Sequence, residues 1–129
     1  VAVDVARANA AANDLSDRVI CVEAAGFDHP ELSAKAPFDL IFANILKGPL
    51  VALAPDMAAA LAPKGMAILS GILNEQAQDV IDVYAASGIN LVHKEMIGDW
   101  KRCLNLRAFW TRFAAYLWIS AHSCCNVGG

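Results

Sequence analysis

The residues best placed to do chemistry lie in the run DLIFANILKGPL, Asp39 to Leu50, where a nearly continuous apolar stretch stops on Asn44 and the chain restarts at Gly48-Pro49. A carboxamide is a neutral group that both accepts and donates hydrogen bonds. At the carboxyl end of a strand it stands where open α/β sheets hold their ligands. Two further strand ends offer small residues, Ala24 to Gly26 and Ser70-Gly71. Other constellations are weaker. His29, His93 and His122 are far apart, and Cys21, Cys103, Cys124 and Cys125 form no Cys-x-x-Cys pair, so no metal site is expected. Ser70 sits in LSGI and lacks the Gly-x-Ser-x-Gly elbow of a nucleophilic serine, so Gly71 reads as a tight-turn or helix-packing glycine. Gly65 and Gly71 do not make a dinucleotide fingerprint. Taken alone, Asn44 reads first as a helix cap or turn closer and only second as a reactive-site residue.

A framework of alternating elements would position these groups. Val1, Val5, Ala8 and Ala12 recur at helical spacing until Asn13 and the Asp14–Asp17 turn. RVICVEA, Arg18 to Ala24, is short and β-branched and predicts a strand. The next fourteen residues, Ala25 to Phe38, hold Gly, two prolines and mixed charge and read as a loop with His29 on its surface. FDLIFAN, Phe38 to Asn44, is apolar enough to be buried on both faces, the mark of a parallel sheet. Pro49 suits the first turn of a helix that runs to an Ala62–Gly65 turn, and Pro55 predicts a kink or a break within it. Met66 to Leu73 reads as a strand. Asn74 then predicts the N-cap of a helix whose stripe is Ala77, Val80, Ile81 and Tyr84 and which Gly88 ends. Ile89–Met96 and Trp100–Arg107 predict a closing hairpin. This order implies an α/β fold with a mostly parallel sheet and helices on both faces.

Composition narrows the function classes. The chain has 129 residues, 57% of them hydrophobic, which is one domain with ample core. Net charge is -3 and the ten Lys and Arg residues are scattered, which argues against direct nucleic-acid contact and against a membrane surface. The cysteines read as reduced thiols, so a cytoplasmic location is expected. The amino terminus does not open on Met and lacks the pattern of a secretory signal.

Three stretches carry a resemblance: VAVDVARANAAANDLSDRV, DLIFANILKGPLVALAPDMAAALAPKGMAILSGIL and NEQAQDVIDVYAASGINLVHKEMIGDW. Over roughly Val1 to Trp100 they resemble the carboxyl-terminal part of the bacterial ribosomal protein L11 methyltransferases, S-adenosylmethionine-dependent enzymes with a Rossmann-like catalytic domain. The most specific piece is Asn44-Ile45-Leu46 followed by Gly48-Pro49-Leu50. The resemblance implies a Rossmann-like methyltransferase sheet, mostly parallel with a closing antiparallel strand and lacking its first two strands. Residues 1–107 would be a partial catalytic domain and residues 108–129 a divergent tail. The implied activity is methylation of amines, lysine side chain and α-amine, on a ribosomal protein partner, with S-adenosyl-L-methionine as cofactor.

The resemblance also implies roles for particular residues. Asn44 takes the place of the Asn/Asp-Pro-Pro-Tyr signature of amino-directed methyltransferases, as catalytic residue and cofactor contact, and Ala24 to Gly26, with Ala24 as a cofactor contact, lie where the cofactor's adenine rests, a plain turn being the equal alternative there. Chemistry agrees, because a side-chain carbonyl accepts hydrogen bonds from an amine and aims its lone pair without becoming a competing nucleophile. With the flanking motif present, this reading of Asn44 is preferred to the cap. The family's glycine-rich loop and ribose-binding acid are not in this sequence, and Asp4, on a helix face, is not that acid. Trp100 matches a family Trp and reads as packing at the sheet edge.

In the family the first two strands lie between the third and fourth, so Arg18–Glu23 is expected to be orphaned or newly paired, with low stability. Likeness ends soon after Trp100. Trp110, Phe113, Ala114, Leu117 and Ala121 share one helical face, too short to span a bilayer. Either an extra helix or an artefactual tail is expected there, the latter leaving Cys124-Cys125 without function. A non-catalytic remnant or partner-binding module on the same scaffold is the alternative function.

Overall fold

The computed structural model describes residues 2–97, 101–108, 116–120 and 123–127. Helix α1 (Ala2–Ala12) precedes β1 (Val19–Val22), α2 (Pro30–Lys35), β2 (Phe38–Asn44), α3 (Lys47–Ala52), α4 (Ala54–Ala60) and β3 (Leu61–Leu73). A 3-10 turn, Asn74–Gln76, leads into α5 (Ala77–Ala86), and β4 (Ile89–Ile97), β5 (Lys101–Ala108), β6 (Tyr116–Ser120) and β7 (Ser123–Val127) follow. Among the described residues, seven strands form one sheet in the order β1-β7-β6-β2-β3-β5-β4. β2 pairs in parallel with β3 and with β6, and the remaining pairings are antiparallel. By direction, β1, β2, β3, β4 and β6 point one way and β5 and β7 the other.

The apolar pattern of β2 and β3 explains why they lie inside the sheet. Phe38, Ile41, Ala43, Ala67, Leu69 and Ile72 are buried, and helices α3, α4 and α5 add Leu50, Met57, Val80 and Tyr84 to the same cluster. Full burial of a side chain of this size contributes about 1.5–3 kcal/mol. Pro55 does split the long helix. It lacks the N–H that would continue the α3 ladder, so α3 ends at Ala52, and Leu53 serves both as its C-cap and as the N-cap of α4. The stripe Ala77, Val80 and Tyr84 is buried, Ile81 packs against it, and the closing hairpin of β4 and β5 is present.

Several expectations are corrected. In α1 the buried residues are Val3 and Ala10, whereas Val5 is 56% exposed, so the helix is as expected but its inward face is not. Alanines on every side leave an Ala-rich helix without a sharp stripe, and packing chooses the face. The expected loop at Ala25–Phe38 contains α2, with Pro30 in its first turn and the Nδ1 of His29 accepting from the Glu31 N–H at 3.2 Å. His29 is therefore a capping residue. Asn74 is not the cap of α5: it opens the 3-10 turn, and Gln76 holds the N-cap position. The Ala62–Gly65 turn lies within β3, as an irregularity between the pairings Phe38 with Leu61 and Leu40 with Met66, and Lys64 there adopts φ 58°. The sheet captures Leu61 before the turn residues and continues beyond them.

The tail differs most. Leu117, assigned by its spacing to a helical face, lies in strand β6, while Trp110, Phe113, Ala114 and Ala121 fall outside the described residues, as does Trp100. β6 and β7 lie between β1 and β2, so β1 finds its new partner in β7, Val19 opposite Val127 and Val22 opposite Cys124. The expected sheet had one closing antiparallel strand, β5, and β7 is a second. Side-chain patterning at period 3.6 cannot outweigh open strand edges on both sides, each offering unpaired N–H and C=O groups.

Candidate active site at the carboxyl edge of the sheet

Since β1, β2 and β3 point the same way, their carboxyl ends share one edge. Asn44 ends β2 there, paired in register with Ser70 of β3 on one side and Ser120 of β6 on the other. Ala24, half-buried against the core two residues past β1, lies on the same edge. The strands between put it three strand spacings from Asn44, roughly 14 Å. Both residues singled out from the sequence therefore lie on one edge but do not touch through neighbouring strands.

Asn44 is exposed, and its side chain leans over Gly71. Its carboxamide Oδ1 stands 2.5 Å from the point a Cβ on Gly71 would occupy. The N-cap position of α3 belongs to Leu46, so Asn44 is not the cap of that helix. Leu46 itself is 76% exposed beside the same edge.

Behind the site, two contacts hold α3 to α5 and so fix the segment that follows Asn44. The hydroxyl of Tyr84 donates to the carbonyl oxygen of Leu50 at 2.9 Å in the buried core. Burial pushes this hydroxyl well above its ordinary pKa, which keeps it a neutral donor. Lys47, in the first turn of α3, pairs with Asp79 of α5 at the surface. Spacing gives no hint of a pair 32 residues apart, although a tyrosine within an apolar stripe signals a hydroxyl in need of a partner. Asp4 is exposed and pairs with Arg7 at 3.5 Å.

A cavity of about 440 Å³ opens elsewhere, between Leu32, Ser33 and Ala36 of the α2 region, Phe38 at the start of β2, and Asp56 and Ala60 of α4. Asn44 does not line it. Among the described residues, no group of three or more His, Cys, Asp or Glu is placed to hold a metal ion, and no helix is long and apolar enough to cross a membrane.

A family model described as Ribosomal protein L11 methyltransferase (PrmA) matches residues 1–108, from α1 to the end of β5. The chain belongs to this family. The ribosomal protein L11 methyltransferase of Rhodopseudomonas palustris (strain BisB5) is 43% identical over 107 residues, which make up 83% of this chain and 36% of the relative. That of Brucella suis (strain ATCC 23445 / NCTC 10510) is 44% identical over 98 residues, 74% of this chain and 34% of the relative. The chain thus spans about a third of the length of the curated relatives it matches. A solved structure described as "crystal structure of M1.HpyAVI-SAM complex" superposes with a TM-score of 0.51 over 60% of this chain and 47% of that one, at 11% identity. That is a likeness of fold. Within the family match lie Asn44, Gly71 and Ala24, whereas β6 and β7 lie beyond it.

Proposed function

We propose that this chain carries the amine-binding part of the catalytic site of an S-adenosylmethionine-dependent protein N-methyltransferase that methylates lysine and terminal α-amines of ribosomal protein L11. The observation that carries this reading is Asn44, inside the family match, exposed at the carboxyl end of a central strand with its carboxamide oxygen over an open glycine. Small residues at Ala24 and Ala25 leave room for a flat ring on the same edge, which supports this edge as the place of the cofactor. When bound, the cofactor supplies an electrophilic methyl group.

The chain's own residues do the rest. The Oδ1 of Asn44 accepts a hydrogen bond from the amine N–H, which turns the nitrogen lone pair toward the methyl group. Leu46 offers an apolar surface beside it for the aliphatic part of a lysine side chain. Ala24 sits on the adenine side. Tyr84 and Lys47 keep α3, and with it the segment after Asn44, in place. The rival reading, a partner-binding remnant without catalysis, draws on the placement of β6 and β7 between Asn44 and Ala24.

The test uses the chain alone and the chain fused at Val1 to the preceding part of the Rhodopseudomonas palustris relative, assayed for binding of labelled S-adenosylmethionine and for label transfer to ribosomal protein L11. Weak cofactor binding by the chain alone and turnover by the fusion are expected. Asn44→Ala in the fusion is expected to reduce turnover on the order of a hundredfold. Unchanged turnover and unchanged cofactor affinity would remove Asn44 from the site, and an inert fusion that still captures ribosomal protein L11 would favour the rival.

A further inference from the structure

We infer that Gly71 is a positioning residue for Asn44: by lacking a side chain it keeps clear the space into which the Asn44 carboxamide oxygen projects. This rests on the reading of Asn44 given above. Gly71 directly follows Ser70, the register partner of Asn44, and its backbone turns through φ +78° at that point. A Cβ there would stand 2.5 Å from Oδ1 and 3.8 Å from Cγ of Asn44. Among the described residues, both neighbours within 4 Å of that point belong to Asn44. A methyl group at position 71 therefore strikes the carboxamide. Asn44 is exposed, so its carboxamide is open to an incoming amine.

A left-handed backbone alone does not explain the glycine. Gly88 has a similar φ, +85°, at the end of α5, yet none of the described residues beyond its chain neighbours lies within 4 Å of the Cβ it would carry. The two positions share the conformational cost of a substitution and differ in the contact with Asn44. A reacting group displaced by about 1 Å loses on the order of a hundredfold in rate, so a methyl group at position 71 is enough to matter.

The experiment compares Gly71→Ala with Gly88→Ala. In the full 129-residue chain, the ¹⁵N–¹H side-chain amide pair of Asn44, identified by its loss in Asn44→Ala, is expected to move in Gly71→Ala and to stay in Gly88→Ala. In the fusion, Gly71→Ala is expected to lower kcat about tenfold or more while the KM for S-adenosylmethionine changes by less than about twofold. That loss should vanish when Asn44 is already alanine. An unmoved amide pair, or an equal loss of kcat on both backgrounds, overturns the positioning role. If Gly71→Ala does not fold, the double variant with Asn44→Ala decides: melting like Gly88→Ala supports the contact, and equal unfolding overturns it. Unchanged turnover in Asn44→Ala itself defeats the reading of Asn44 and the positioning role with it, whereas an unmoved amide pair defeats only the latter.

Discussion

The two halves of the sheet are held by different means. On one side, β2, β3, β5 and β4 come from the continuous segment Phe38–Ala108 and are backed by α3, α4 and α5, with Phe38, Ile41, Leu69, Ile72, Leu104 and Leu106 fully buried. On the other side, β1, four residues long, meets β7 and β6 from the far end of the chain, and Cys21 and Val22 are its buried residues. Local connections and a thick apolar layer stabilise the first half, so few residues of loop are ordered for each pairing. The second half joins residues more than a hundred positions apart, as in Val19 opposite Val127, and is held by pairing between the two ends of the described chain. Asn44 stands at the seam, paired to β3 on the firm side and to β6 on the other.

The comparison predicts unequal responses to perturbation. Deleting residues 109–129 removes both strands between β1 and β2, so the amides of Val19–Val22 should exchange with solvent as in an unfolded chain, while those of β3 and β5 stay protected. Hydrogen exchange read residue by residue checks this, and retained protection of β1 would mean that the halves are not separable. Next in size, Leu69→Ala removes a fully buried side chain of β3 and should cost about 2–5 kcal/mol in urea denaturation. A cost under about 1 kcal/mol would show that the first half is less tightly packed than its burial implies.

The smallest effect concerns Tyr84. Tyr84→Phe leaves the Leu50 carbonyl without its donor and should cost about 1–3 kcal/mol. It also sharpens the pH behaviour. Because burial raises the Tyr84 pKa, the unfolded chain loses this proton first, near pH ~10. The contribution is therefore complete below that value and lost as pH rises through it toward the folded pKa. Thermal melts should show a midpoint that falls above about pH 10 in the parent chain, with that component absent from Tyr84→Phe.

Within the firm half, most elements were readable in the sequence, though not the cap of α5 or the start of β3. The run ending at Asn44, the break at Pro55, the buried stripe of α5 and the β4–β5 hairpin each follow from short-range pattern, since a side chain's period and a proline's missing N–H act locally. Asn44 stood out as a candidate, because its type, its place at a strand end and its flanking motif coincide. Gly71 was legible only as a turn or packing glycine, because nothing in LSGI says that the carboxamide of a residue 27 positions earlier leans over it. The short helix after His29 and the inward face of α1 were missed for a related reason. Six residues of helix, or a helix rich in alanine on every side, carry too weak a local preference to choose a structure or a face.

What the sequence by itself determined is thus most of the elements between Arg18 and Arg107, the short helix α2 excepted, and the family to which they belong. Their hydrophobic periods and punctuating prolines and glycines are properties of neighbours along the chain. Tertiary structure alone decided which strand fills each place in the sheet. A tail whose apolar residues repeat at helical spacing became β6 and β7 because two open strand edges left N–H and C=O groups to pair, and pairing across more than seventy residues leaves no trace in local pattern. The same holds for the site: residue type made Asn44 a candidate, and only the approach of β3 to β2 set its oxygen over Gly71.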